Sequence, residues 1–212
     1  MVKCSYINLT EDNTLKYTYR ISRLTDIEKA EKARIANNNW NMKSVPEVYF
    51  QAAFDGENLI VEMTCLESNP LTRYTKNYDP VYLDSCMECF LCLSPEESER
   101  YVNIETNSSG AVICSVGKGR NDRESVLEKY GILPQVTVTK KDDRWSVLVV
   151  LTPEFTTAVF GKALSVGSRF TGNFYKCEQD SDNPNFLSWT EITTEKPDFH
   201  RPEFFGELHI AD

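Results

Sequence analysis

The chain has 212 residues, 41% hydrophobic and 26% charged, which is enough apolar material for one sizeable core in a globular protein. Its 32 acidic residues outnumber 23 basic ones, for a formal net charge of −9. This balance argues against a nucleic-acid partner, because phosphate binding needs clustered Lys and Arg. No apolar run reaches the roughly 18 residues that a membrane span needs, so we expect no membrane partner.

The first segment, MVKCSYINLTEDNTLKY, contains no apolar run of the kind found in secretory signal peptides. The seven cysteines are an odd number, and without an export signal they are expected to be reduced thiols. We therefore expect a cytoplasmic protein. A secreted protein whose leader had been removed would have the same pattern.

The predicted elements begin with one helix and continue mainly as strands. Thr25-Asp-Ile-Glu28 matches a capping box and opens IEKAEKARIA, which ends at three asparagines. Strands are predicted over 81–93, 101–107, 111–116, 168–177 and 205–210, hairpins over 47–65 and 134–153, and a short helix over 125–131. Many short strands separated by turn residues predict one all-β domain over residues 1–212. We expect a β-sandwich of jelly-roll or immunoglobulin-like type with one or two short peripheral helices.

Three cysteines lie three residues apart in DSCMECFLC, a spacing that can hold a metal when it lies on a loop. On a strand, successive side chains point to opposite faces, so Cys89 points away from Cys86 and Cys92. Cys86 and Cys92 would also lie about 20 Å apart along the strand. One metal ion cannot bind all three, and the sequence predicts core thiols and no metal site.

Polar residues alternate along two predicted strands. Asp84 and Glu88 share one face of the first strand, and Asn103, Glu105 and Asn107 share one face of the second. If the strands are neighbours, these residues form one acidic surface rich in amides. One interpretation is the solvated face that antiparallel sheets usually have. The other is a shallow site whose carboxylates and amides hydrogen-bond the hydroxyls of a sugar.

Several short segments, in this order, resemble the family 9 carbohydrate-binding modules. These are sugar-binding β-sandwiches of the DOMON-like group, often attached to xylanases. The segments are VYLDSCMECFL, YVNIETNSSG, RWSVLVVLTPEF, GNFYKC, FLSW and KPDFHRPEFFGEL, and the resemblance runs from about residue 40 to residue 210. It implies a stand-alone module that binds a mono- or oligosaccharide related to xylan or cellulose, without catalysis.

The resemblance also implies positions for the ligand-binding residues. In the family, two tryptophans sandwich a terminal sugar ring, and a Glu, an Arg, Asn residues and a Gln hydrogen-bond its hydroxyls. The tryptophans fall at Tyr82 and Phe199, the Glu at Glu88 and the Gln near Asn173. Both aromatic residues are smaller than the tryptophans they replace, so they offer the sugar less stacking area.

The strand VNIETN corresponds to the Arg and Asn strand of the family, and its candidates are Asn103, Glu105 and Asn107. No Arg lies among them, which departs from the family pattern. His200 lies beside the second aromatic position and could reach the ligand, and Arg120 is a weaker candidate of the same kind. Calcium occurs in the family; no ligand set stands out here, and the acidic segment 177–185 is where such a site would be sought.

Two other functions stay open at this point. A glycoside-active enzyme needs two facing carboxylates, which Asp84, Glu88 and Glu105 could supply. On a flat sheet face, however, we expect them to be too solvated for the raised pKa of a general acid. The second alternative is a structural or protein-binding sandwich that has lost sugar binding. We expect non-catalytic carbohydrate binding, with the oligomeric state undetermined.

Overall fold

The computed structural model describes residues 17–212, and residues 1–16, where we expect no signal peptide, lie outside the described part. The described strands are β1 (Thr18–Arg23), β2 (Ala33–Arg34), β3 (Glu47–Phe54), β4 (Leu59–Leu66), β5 (Cys86–Cys92), β6 (Tyr101–Asn107), β7 (Val112–Gly117), β8 (Glu124–Ser125), β9 (Gln135–Lys140), β10 (Trp145–Leu151), β11 (Arg169–Glu178), β12 (Asn185–Ser188) and β13 (Gly206–Ala211). The α-helices are α1 (Val126–Tyr130) and α2 (Pro153–Phe160), and single 3₁₀ turns span Ile27–Lys29, Val81–Leu83 and Pro202–Phe204. The all-β prediction with one or two short helices is confirmed.

All the strands belong to one curled sheet. Its order is β8-β7-β6-β5-β11-β13-β1-β3-β4-β10-β9, with β12 beside β11 and β2 beside β3. Most pairs are antiparallel, but β1 runs parallel to both β13 and β3. Met87 and Cys89 of β5 share the main hydrophobic core with Val147 and Val149 of β10, although the two strands are far apart in the sheet. The sheet therefore folds over on itself and packs its two halves together as a sandwich.

The predicted hairpins form as expected. β3 pairs with β4 around the turn at Asp55-Gly56, where Gly56 has φ +108°, a value that few other residues adopt. β9 pairs with β10, and the burial along β10 alternates strictly, as the sequence pattern requires. The strand predicted from residue 81 begins later, at Cys86, because residues 81–83 form a 3₁₀ turn.

The helix predicted after Thr25 is wrong. Only one 3₁₀ turn forms, over Ile27–Lys29, and it is capped by Asp26. The chain then extends, pairs β2 with β3, and buries Ile35, whose amide donates to the carbonyl of Val48 at 2.9 Å. Sheet pairing and burial of this isoleucine outweigh the modest intrinsic helix preference of the segment.

The short helix predicted over 125–131 is confirmed as α1, but α2 was not predicted. Its signals are local: the Thr152 side chain accepts from the amide of Phe155, Pro153 occupies the first turn, and Gly161 ends the helix with φ +78°. These are standard start and stop residues. Among the described residues, no helix is long and apolar enough to cross a membrane.

A second, smaller core lies on the other face of β5, β6 and β11. It contains Phe90, Tyr101 and Tyr175 from these strands, and Phe199 and Phe205 from the C-terminal segment. The hydroxyl of Tyr175 donates to the carbonyl of Phe199 at 3.1 Å, and the ring of Tyr101 packs edge-on against Phe205. Residues 190–205 thus cover the sheet face on which the predicted site residues lie.

Candidate functional site

Three rows of side chains cross this covered face from β11 through β5 to β6, and we call this surface the polar face. The rows, set by the strand register, are Cys177–Cys86–Asn107, Tyr175–Glu88–Glu105 and Asn173–Phe90–Asn103. The sequence prediction that the polar residues of the two strands lie side by side is confirmed. The alternative of a solvated sheet face is wrong, because Glu88 is 3% exposed and Glu105 is 5% exposed.

Glu88 and Glu105 form the middle of the polar face, directly opposite each other on neighbouring strands. Burial raises the pKa of Glu105 to about 7, although Asn103 and nearby arginines favour the charged form. Burial also raises the pKa of Glu88 well above its usual value, with further contributions from Cys177 and Glu105. The expectation that these carboxyls are too solvated for a raised pKa is therefore wrong. The physical reason is the cover supplied by the C-terminal segment.

The guanidinium missing from the VNIETN strand is supplied by Arg123, from the segment after β7. Its Nε donates to Oδ1 of Asn103 at 3.0 Å, and its Nη2 donates to the carbonyls of Tyr101 and Ser115. Its Nη1 is buried and has no hydrogen-bond partner among the described residues. Sequence reasoning missed this residue because its position depends on the loop path, which no local pattern predicts.

Arg120, named above as a weaker candidate, lies closer to solvent. Its guanidinium bonds the carboxylate of Asp198 at 2.9 Å, and the two side chains are 56% and 27% exposed. Its positive charge acts on both Glu88 and Glu105. Arg120 therefore joins the segment after β7 to the C-terminal segment, near the buried carboxyl pair.

Three other predicted residues have internal hydrogen-bond partners. Asp84 accepts from the amides of Arg73 and Tyr74, from Nε of Arg73, and from Nδ2 of Asn107 at 2.9 Å. Because four donors occupy this fully buried carboxylate, it is not available as a catalytic acid or base. Asn173 is also fully buried, and its side chain bonds the hydroxyl and amide of Thr190. Asn107 and Asn173 thus fasten loops to the sheet.

The two predicted stacking residues differ in accessibility. The side chain of Tyr82 lies at the surface, with 36% of the residue exposed. Phe199 is 6% exposed, and its ring stacks on Tyr175 at 4.2 Å with 12° between the planes. They do not form an open clamp over Glu88 and Asn173 in this structure, because Tyr175 occupies one face of the Phe199 ring.

His200 lies at the edge of the polar face. Its Nδ1 and the hydroxyl of Tyr101 are 2.9 Å apart, and its ring contacts Phe90. Burial, followed by the charges of nearby arginines, lowers its pKa to about 3, so the imidazole is neutral. His200 also lines a groove of about 480 Å³, together with Cys92, Pro95, Ser98, Glu99, Lys118, Thr171, Pro202 and Glu203.

The prediction that Cys89 points away from Cys86 and Cys92 is confirmed. Cys89 belongs to the main core, whereas Cys86 and Cys92 belong to the second core on the other face of β5. The sequence did not indicate that Cys177 of β11 lies directly opposite Cys86. Within residues 17–212, no disulfide is formed by the cysteines, all of which are buried.

The acidic segment 177–185 does not fit a calcium ion. The carboxylate of Asp180 is bonded by Arg73 at 2.7 Å, and the buried ammonium of Lys176 donates to the carbonyl of Cys177 and to Asn185. Arg73 and Lys176 therefore already bond three oxygen atoms of this segment, and no three of its own thiol and carboxyl groups meet at the spacing of a metal site.

The sequence model of carbohydrate-binding family 9 matches residues 20–210. Among curated proteins, none matches the chain. A proposed carbohydrate-binding protein from Bacteroides uniformis has a similar structure, with 24% identity and a TM-score of 0.77, over 92% of this chain and 99% of that one.

A family 9 carbohydrate-binding module from Caldicellulosiruptor kristjanssonii shares the fold at lower identity. Its complex with cellotriose has a TM-score of 0.64 and 12% identity, over 92% of this chain and 94% of that one. Its complex with glucose has a TM-score of 0.64 and 13% identity, over 92% and 96%. The predicted β-sandwich is therefore confirmed. Because the family match spans most of the sequence, this chain belongs to carbohydrate-binding family 9, a family of non-catalytic carbohydrate-binding modules.

Proposed function

We propose that this family 9 protein binds a sugar at the outer edge of the polar face, between Tyr82, the Glu88–Glu105 pair and Arg120. In this proposal the carboxyls and the guanidinium hydrogen-bond the hydroxyls, and the exposed ring of Tyr82 packs against the C–H face of the sugar. Glucose and cellotriose, which the C. kristjanssonii module holds, are the first ligands to test.

The observation that carries the proposal is the buried pair formed by Glu88 and Glu105. Removing carboxyls from water costs free energy, and a second core built only for stability would use apolar side chains instead. Such perturbed groups concentrate at functional sites. The partnerless Nη1 of Arg123 lies in the same region and lacks the acceptor that a ligand hydroxyl would provide.

The Arg120–Asp198 ion pair lies near the carboxyl pair and is partly exposed to solvent. Because both side chains are partly exposed, this ion pair contributes less than about 1 kcal/mol to stability. A sugar hydroxyl can accept the hydrogen bonds that Arg120 otherwise donates to Asp198, at little cost in free energy. In this proposal the ion pair opens at the edge of the covered face, so that a sugar hydroxyl can reach Glu88 and Glu105.

The test is titration calorimetry of the purified protein with glucose, xylose, cellobiose, xylobiose and cellotriose up to millimolar concentrations. We expect millimolar or tighter binding of at least one sugar. Glu88→Gln and Tyr82→Ala should each weaken it by about 10-fold or more, because each removes one strong contact.

Glu62→Gln is the matched control, since Glu62 lies on β4 in the other half of the sheet, where it bonds Gln51. This variant should bind like the wild type. Absence of heat with every sugar, or unchanged affinity in both site variants, would overturn the proposed site. The first of these results would favour a role in binding another protein.

A further inference from the structure

Two thiols and a carboxyl meet on the polar face in a way that sugar binding does not require. Cys86 of β5 and Cys177 of β11 are directly opposite partners in the sheet, and Glu88 lies two residues along β5 on the same face. The Cys177 Sγ is 3.1 Å from Oε1 of Glu88. The two Sγ atoms and a carboxylate oxygen all lie within 4.8 Å of one another.

This cluster has the dimensions of a metal site. Two thiolates bound to one tetrahedral zinc ion at 2.3 Å lie roughly 3.8 Å apart, which is compatible with the 4.8 Å limit within which the three ligand atoms lie. All three ligand residues lie on paired strands, which hold them in place. Among the described His, Cys, Asp and Glu residues, no other group of three meets this spacing.

The ligand chemistry selects the metal. Thiolates favour zinc over calcium or magnesium, which prefer oxygen ligands only. Burial raises the pKa of both thiols and of the Glu88 carboxyl. When a divalent cation binds, one proton from each ligand passes to solvent, and the cation offsets two of the three negative charges that result. The third lies near the positive charge of Lys176, which acts on both thiols.

We propose that Cys86, Cys177 and Glu88 form a zinc-binding site beneath the polar face, with the fourth position open to water or another oxygen ligand. Three protein ligands and one open position are a regular arrangement for zinc. The zinc site shares Glu88 with the proposed sugar site, and the second carboxylate oxygen of Glu88 stays available to a sugar hydroxyl. Zinc would fasten β5 to β11 at the end of the strands near Tyr82.

The test uses the full chain, reduced, stripped with chelator and then given one equivalent of zinc. After gel filtration, elemental analysis should find about one zinc ion per chain, and the melting temperature should rise. Cobalt(II) in place of zinc should produce thiolate-to-metal charge-transfer absorption. Cys86→Ser and Cys177→Ser should each reduce this absorption and abolish stoichiometric zinc retention.

Cys89→Ser is the matched control, because Cys89 is equally buried on the same strand but points into the other core. It should retain zinc and the cobalt absorption. Circular dichroism establishes that each variant is folded. The cobalt spectrum of the wild type tests the proposal without any substitution. Absence of charge-transfer absorption in the folded wild type, or full zinc retention by the Cys86→Ser/Cys177→Ser double variant, would overturn the proposal.

Discussion

At the scale of single residues, the polar face consists of groups that are unfavourable to bury. Most of these groups have close hydrogen-bond partners. Asn103 illustrates this, because its amide donates to Glu105 at 2.7 Å while its oxygen accepts from Arg123. Such a network stabilises the fold only when its members stay paired. The individual residues can therefore be tested by substitutions that keep the hydrogen bonds but remove the charge or the titratable group.

His200 provides a test by pH. Its pKa is about 3 in the folded protein, held there by burial and by Arg123 and Arg120, with Asp198 and Asp122 opposing. In the unfolded chain it is about 6.5. Between these values the unfolded state binds more protons, so the free energy of unfolding falls as the pH falls. The slope from this group approaches about 1.4 kcal/mol per pH unit.

The His200→Asn variant should lose this part of the pH dependence, because asparagine keeps an acceptor for the hydroxyl of Tyr101 and does not titrate. Urea unfolding of both proteins between pH 4 and 7 gives the comparison. The variant should lose less stability on acidification than the wild type. Parallel stability curves would show that His200 titrates normally in the folded state.

At the scale of elements, the polar face depends on the close pairing of β11 with β5. Gly172 of β11 lies opposite Leu91, and an added Cβ would approach the carbonyl oxygen of Phe90 to 2.6 Å. Only glycine fits between the backbones here. The same strand carries Asn173, Tyr175 and Cys177 onto the polar face.

We expect Gly172→Ala to destabilise the protein by about 2 kcal/mol or more, because the two strands must move apart. Chemical denaturation measures the change. Gly119→Ala is the control, since an added Cβ there meets only a side-chain oxygen of Asp122, at 3.7 Å. The control should stay within about 0.5 kcal/mol of the wild type. Equal stabilities for both variants would mean that β11 tolerates a wider spacing.

At the scale of the whole molecule, β13 joins the two halves of the curled sheet. It lies between β11 and β1 in the strand order, antiparallel to the first and parallel to the second. Leu208 and Ile210 point into the main core, whereas Glu207 and His209 are partly exposed. The segment nearest the end of the chain is thus central to the fold.

Ile210→Asp should prevent folding or cost about 4 kcal/mol or more, because it places an unpaired carboxylate in the main core. His209→Asp is the matched control. It introduces the same side chain one residue away, where the register partners are Arg20 and Arg169. We expect it to change stability by less than about 1 kcal/mol. Thermal unfolding followed by circular dichroism distinguishes the two, and similar melting temperatures would contradict the role assigned to β13.

The sequence by itself determined the family and most of the strands with their faces, but it did not predict β1, β2, β8 or β12. Alternation placed Glu88 and Cys86 on one face of β5 and Cys89 on the other, because side-chain direction along a strand depends only on position. It did not predict the extended path of residues 30–37, where long-range pairing with β3 outweighs helix preference. It also did not predict that residues 190–205 cover the polar face.

Only the tertiary structure decided the character of the site. Burial of Glu88 and Glu105, the arrival of Arg123 and the pairing of Cys86 with Cys177 depend on segments far apart in the chain. Local sequence patterns report which way a side chain points and how strongly it favours water. They do not report which distant segment will cover it or lie beside it. Desolvation by that cover shifts the pKa of a carboxyl, and the pairing of β11 with β5 brings two core thiols together as candidate ligands.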